Sequence, residues 1–193
     1  MPVLLAITLH EAAHGWVAYR LGDNTAKHLG RITANPFKHI DLVGTIIVPT
    51  VLMLLPTPFL LGWAKPVPVD PRRFNSPMLD MGLVAAAGPI SNFLMAMCWG
   101  MLMFIAMHVM DPSQARAFLW DMGKIGVFIN ILLIVINIMP IPPLDGGRVL
   151  AAILPRTVAE QFIRIEPYGM FIIIALLASG ILGKILWPQI EQF

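Results

Sequence analysis

Apolar runs of membrane-spanning length recur along this chain, and nothing else in it limits the possible folds so strongly. A backbone in hydrocarbon must satisfy every N–H and C=O internally, which leaves helices or closed barrels. About 20 apolar residues carry a helix across. Five segments approach or reach that length: Val3 to Leu21, Leu42 to Trp63, Met81 to Met110, Gly123 to Met139 and Tyr168 to Trp187. The second contains Pro49, Pro56 and Pro58 and reads as kinked or re-entrant. Composition points the same way: 58% of the 193 residues are hydrophobic and 12% charged, against roughly 25% charged in soluble domains. The expectation is an all-α polytopic membrane protein with about five transmembrane or re-entrant segments. It would form one domain over residues 1–193, without an appended soluble module.

The polar connections, Gly22 to Asp41, Ala64 to Asp80 and Leu144 to Pro167, all carry basic residues. Counting bases on each side therefore assigns no orientation. Net charge is +2 with no basic run, which argues against a nucleic-acid partner. The single Cys98 forms no internal disulfide. The apolar start has no basic leader and no small-residue cleavage site, so it does not read as a secretory signal. Arg31 to Ala34 and Pro66 to Val69 read as short extended strands, since prolines exclude a helix in the latter. Extended backbone at membrane depth has to be buried in protein or line a wet cavity. Both stretches are thus expected near a site.

The chemistry is concentrated in His10-Glu11-Ala12-Ala13-His14. Histidines at i and i+4 share one helix face and reach a single zinc ion. Glu11 beside them is placed to take a proton from water activated by that ion. Chance clustering on a wet helix face is the plainer alternative. It fits poorly in a run that is otherwise Val3, Leu4, Leu5, Ala6, Ile7 and Leu9, because intramembrane ionisable groups are costly and a shared cation serves all three. A catalytic zinc needs a third protein ligand and one open position. Asp145, in a proline-rich turn followed by Gly146 and Gly147, is the candidate. Its plain alternative is an N-cap for a helix starting near Arg148. Asp111 and Asp121 sit beside bases in short connections and read as solvated. Asn92 reads equally as an interhelical hydrogen-bonding residue or as a donor to a developing oxyanion. Asn137 leans toward the structural role. His28, His39 and His108 lack ligand spacing.

Four motifs now stand in order: HEAAH at 10–14, GWAKPVPV at 62–69, GPISN at 88–92 and NIMPIPPLDGG at 137–147. Together they resemble the site-2 protease family of intramembrane zinc metalloproteases, peptidase M50-like, in a short form without accessory domains. The resemblance spans nearly the whole chain. It implies one zinc per chain held by His10, His14 and Asp145, with Glu11 as general base. It also implies that Asn92 faces the site from the third segment and that Asn137 lies near it from the fourth. The start of the HEAAH helix almost at Met1 departs from the longer apolar lead common in that family.

The implied activity is zinc-dependent endopeptidase cleavage in or near transmembrane segments of membrane-anchored protein or peptide substrates. The enzyme would be a multi-pass protein of the plasma or inner membrane of a prokaryote. A transmembrane substrate must unwind before hydrolysis, and Pro66–Val69 or Gly30–Asn35 could hold it by strand addition. The competing reading is a catalytically silent metal-binding membrane protein of the same fold that binds membrane segments. An ion transporter is disfavoured by small size and the absence of paired repeats.

Overall fold

The computed structural model describes residues 1–54 and 62–180. Pro56, Pro58 and the last part of the expected fifth segment lie outside those residues. Helix α1 runs over Pro2–Arg20 and the short α2 over Thr25–His28. A single 3-10 turn at Pro36–His39 and a π-helical stretch at Leu42–Ile47 lead into α3, Val48–Leu54. A second 3-10 turn covers Pro71–Arg73, and then come α4, Pro77–His108, and α5, Gln114–Asn137. Three shorter helices follow: α6 at Asp145–Ile153, α7 at Arg156–Ile163 and α8 at Glu166–Ala178.

Helix α4 is the centre of the molecule and packs against α1, α5 and α6. Small residues set how close these neighbours come, as in membrane bundles generally. Gly126 of α5 sits under the Trp99 ring of α4, and Gly82 of α4 sits against Ala152 of α6. A side chain at either position would occupy its neighbour's space. Helix α4 continues unbroken through Gly88 and Pro89.

Among the described residues two helices, α4 and α5, are long and apolar enough to cross a membrane, with mean hydropathy 1.8 and 1.9 over their most apolar windows. Only 11% and 17% of those windows are buried, so neither is the wrapped core helix of a water-soluble protein. Ile90, Phe93, Leu94, Met97, Met101 and Phe104 project outward along α4. So large an apolar face suits contact with a membrane or with a partner protein.

Among the described residues the expected five spanning segments are thus not supported. Helix α1 carries His10, Glu11 and His14 and is less apolar than α4 or α5, and Leu42–Leu54 is split between π and α geometry. The expected short strands are also absent among the described residues. Residues 62–70 form neither helix nor ladder, and Pro66 and Pro68 have no N–H to contribute to one. Residues 32–34 form bends held locally, with Asn35 N–H donating to Thr33 Oγ1 at 3.2 Å.

Candidate metal centre

The histidines of α1 meet the first residue of α6 across the Gly88 region of α4. His10 Nε2 lies 3.2 Å and His14 Nε2 3.5 Å from the same oxygen, Asp145 Oδ2. All three ligand atoms fall within 4.8 Å of one another. For zinc–ligand bonds near 2.1 Å, a tetrahedral site puts neighbouring ligand atoms roughly 3.4 Å apart. The two separations to Asp145 bracket that value. Asp145 Oδ2 is buried and makes no hydrogen bond, so a cation would satisfy an oxygen that is otherwise costly to bury. The donor set and its spacing therefore fit zinc.

Both imidazoles present the correct nitrogen. His14 Nδ1 lies 2.7 Å from the Val84 carbonyl oxygen, which only accepts, so the proton sits on Nδ1 and Nε2 keeps its lone pair. His10 Nδ1 lies 2.5 Å from Asn92 Oδ1 in a fully buried contact. Such partners on the far nitrogen orient a ligating histidine. The two rings meet edge to face, with centroids 4.6 Å apart.

Gly88 makes the pairing possible. A Cβ there would lie 2.6 Å from His10 Nε2 and 2.6 Å from His14 Cε1, and would also collide with His10 Cε1. Gly88 is thus the wall against which both ligands rest.

Asp145 does not cap its helix. It is the first helical residue of α6; the cap position belongs to Leu144, and no side chain caps that end. The turn before it is tight, with Leu144 N–H donating to Ile141 O at 2.9 Å. A Cβ at Gly146 would strike the Ile138 carbonyl, and one at Gly147 would lie 2.5 Å from Pro142 N. Gly169 of α8 also packs onto the Pro142 carbonyl. The loop that aims Asp145 is therefore braced by both α6 and α8.

Glu11 is fixed by the extended segment. Its Oε2 accepts from Val67 N–H at 2.8 Å. Val67 is the only residue of Pro66-Val67-Pro68 with an N–H to give. Its side chain rests over Gly15, where a Cβ would stand 3.0 Å from Val67 Cγ1. The segment is anchored further along at Asp23, which is fully buried. Asp23 accepts from Thr25 N–H at 2.9 Å, from the Thr25 hydroxyl at 2.5 Å and from Asp70 N–H at 2.7 Å. Arg73 Nε lies 3.7 Å away. Burial pushes the Asp23 carboxyl up, but the bonds from Thr25 and Asp70 outweigh it and hold it below the ordinary carboxylate value.

Asn92 touches His10, and its Nδ2 donates to Asn130 Oδ1 at 2.8 Å and to Ala6 O at 3.4 Å. Asn137 turns back on its own helix, donating to Leu133 O at 3.0 Å. Sequence reading missed Asn130, which is fully buried in mid-helix. The signal that singled out Asn92, an amide in an apolar span, was there to find it. His108 bonds Phe104 O in its own helix, and Cys98 is exposed.

No family model and no solved structure matches the chain. Curated relatives do. YwhC of Bacillus subtilis is 36% identical over 192 residues, covering 98% of this chain and 84% of its own length. Rip2 of Mycolicibacterium smegmatis is 26% identical over 190 residues, 98% of this chain and 70% of Rip2. MJ0611 of Methanocaldococcus jannaschii is 38% identical over 71 residues, 37% of this chain and 34% of MJ0611. All three bear the name "Putative zinc metalloprotease".

Proposed function

The chain belongs to the family of YwhC, and from that premise we propose that it is a zinc-dependent endopeptidase of the site-2 protease type. It cuts peptide bonds in or near the spanning segments of membrane-anchored substrates. One observation carries this reading: His10, His14 and Asp145 converge at zinc-ligand spacing with Glu11 beside them, next to a helix as apolar as α4. A metal site of that kind beside lipid-facing helices is suited to substrates that arrive from the bilayer. The enzyme acts as a multi-pass protein of the cell membrane of a prokaryote, in line with its bacterial and archaeal relatives.

His10, His14 and Asp145 would hold the zinc, which when bound would supply Lewis acidity to the scissile carbonyl and to water. The chain does the rest. Glu11 has one oxygen committed to Val67 N–H, which leaves Oε1 to take the proton from the attacking water. The same oxygen returns that proton to the leaving amine nitrogen as the C–N bond breaks. Both amide atoms of Asn92 are engaged by protein, so its part is to hold His10 rather than to donate to the oxyanion.

A groove of about 930 Å³ is lined by Val67, the residue whose N–H holds Glu11, and by Val69, Met81, Ala152, Arg148 and Glu166 among others. It takes the unwound substrate in extended form, with apolar side chains against Val67, Met81 and Ala152. The Arg148–Glu166 ion pair, at 2.9 Å, stands at its polar edge.

Reconstitution in vesicles tests the reading. A single-span substrate should be cut within or beside its span, with products located by mass spectrometry. A zinc chelator should stop the reaction and added zinc restore it. Cutting of unfolded soluble protein alone, with the span untouched, would remove the intramembrane assignment while leaving the metalloprotease.

A further inference from the structure

Behind the metal ligands lies a chain of buried amides whose direction is dictated from its far end. Asn130 Nδ2 lies 2.8 Å from the Gly126 carbonyl oxygen. A carbonyl only accepts, so the amide nitrogen of Asn130 must face it, which turns Asn130 Oδ1 toward Asn92. That oxygen can only be met by Asn92 Nδ2, 2.8 Å away. Asn92 Oδ1 is thereby directed at His10 Nδ1. An oxygen at that place requires a proton on Nδ1, and the lone pair is left on Nε2, the atom that faces Asp145. Both asparagines have zero exposure, so water does not replace any of these partners. The Ala6 carbonyl, a weaker acceptor for Asn92 Nδ2 at 3.4 Å, favours the same orientation.

We propose that Asn130 is a positioning residue of the metal centre: acting through Asn92, it fixes the tautomer and ring orientation of His10. This rests on the reading of His10 as a zinc ligand. Asn130 touches neither metal nor substrate. Its effect is to prevent the Asn92 amide from flipping, since a flipped amide would aim N–H groups at His10 Nδ1 and put the histidine proton on Nε2, where it blocks coordination.

The test uses the full chain in detergent. Asn130→Leu has similar volume and suits an apolar helix, so packing is preserved while the relay is cut. Zinc affinity, read by competition with a chromophoric chelator, should fall about 10- to 100-fold, the range for partners that orient a ligand. Asn92→Ala should fall similarly, and the double variant should be no worse than Asn92→Ala alone, because both act through one path. Nitrogen NMR of the metal-free chain gives the direct readout: wild type should show Nδ1 of His10 protonated throughout, whatever Nε2 carries toward Asp145, and Asn130→Leu a mixture that includes rings with Nδ1 bare. A merely structural residue would lower melting temperature without changing that mixture. If Asn130→Leu does not fold, Asn130→Ser takes its place with the same expectations. Wild-type zinc affinity and a His10 Nδ1 still protonated throughout in the folded variant would overturn the proposal. The tautomer is measured without zinc or substrate, so failure of the protease reading would show separately, as a wild type that binds no zinc or cuts nothing.

Discussion

Gly88→Ala adds one methyl group to the middle of α4, and in most helices that change is favourable. Alanine exceeds glycine in helix propensity by about 1 kcal/mol. Here the added carbon would lie 2.6 Å from His10 Nε2 and 2.6 Å from His14 Cε1. Ordinary contact begins at 3.4 Å, so with helix backbone behind the methyl each ring has to retreat by at least about 0.8 Å. Zinc sites tolerate ligand displacements of about 0.2 Å. Neither ring retreats freely, since His14 is tied to Val84 O and His10 to Asn92. The expected loss of zinc affinity is at least about 100-fold, beyond that for an orienting partner alone. Competition with a chelator in detergent measures it, and thermal melting of the metal-free chain shows that the fold survives. Gly100→Ala is the control: it lies in the same helix, and an added Cβ there meets nothing within 4 Å. It should bind zinc as wild type does. If Gly88→Ala also binds zinc as tightly as wild type, the description of the site as two imidazoles resting on Gly88 is wrong.

Gly15→Leu should push Val67 away from α1 and free Glu11; turnover should drop about 10-fold or more while zinc content stays at the wild-type level, because misplacing a general base costs rate rather than metal. Asp23→Ala should lower stability by about 2–3 kcal/mol, measured by denaturant unfolding in detergent, since hydrogen bonds to a buried charge are lost. The pH dependence follows from the lowered Asp23 value: its contribution is complete above the unfolded-state pKa near 3.8 and disappears as pH falls through the lower folded value. The wild type should therefore lose stability on that acid limb and Asp23→Ala should lose less, which parallel pH titrations of the melting temperature would check.

The parts of the site that were legible in sequence are those set by local geometry. His10 and His14 are one helical turn apart, so their convergence needs only the helix. Asp145 is far along the chain and was legible through the NIMPIPPLDGG motif and its resemblance to a known family, while residue type alone left the capping alternative open. The structure decides against capping because α6 begins at Asp145 itself. Asn130 and Asn137 show where the reading stopped. Both are amides in α5, but they differ by seven residues, about two turns, and only Asn130 sits at the depth of Asn92. Depth between helices is fixed by tertiary packing, which small residues such as Gly126 determine without any periodic signal. The extended stretch at Pro66–Val69 was read correctly as non-helical and wrongly as a strand. A strand needs a partner with matching donors, whereas this segment gives its Val67 N–H to a side chain. Asp23 was passed over because a lone aspartate after a helix has no pattern; its role comes from Asp70, 47 residues away.

The measurement that bears most directly on the central claim is paired metal content and cleavage for wild type and Glu11→Gln in one preparation. Glutamine keeps the shape of Glu11 and still accepts from Val67 N–H, but it has no basic oxygen. The account predicts about one zinc per chain in both proteins, cleavage of a single-span substrate by wild type, and none by Glu11→Gln. Equal cleavage by both would contradict the role of Glu11, and a wild type that holds no zinc would contradict the metal centre itself.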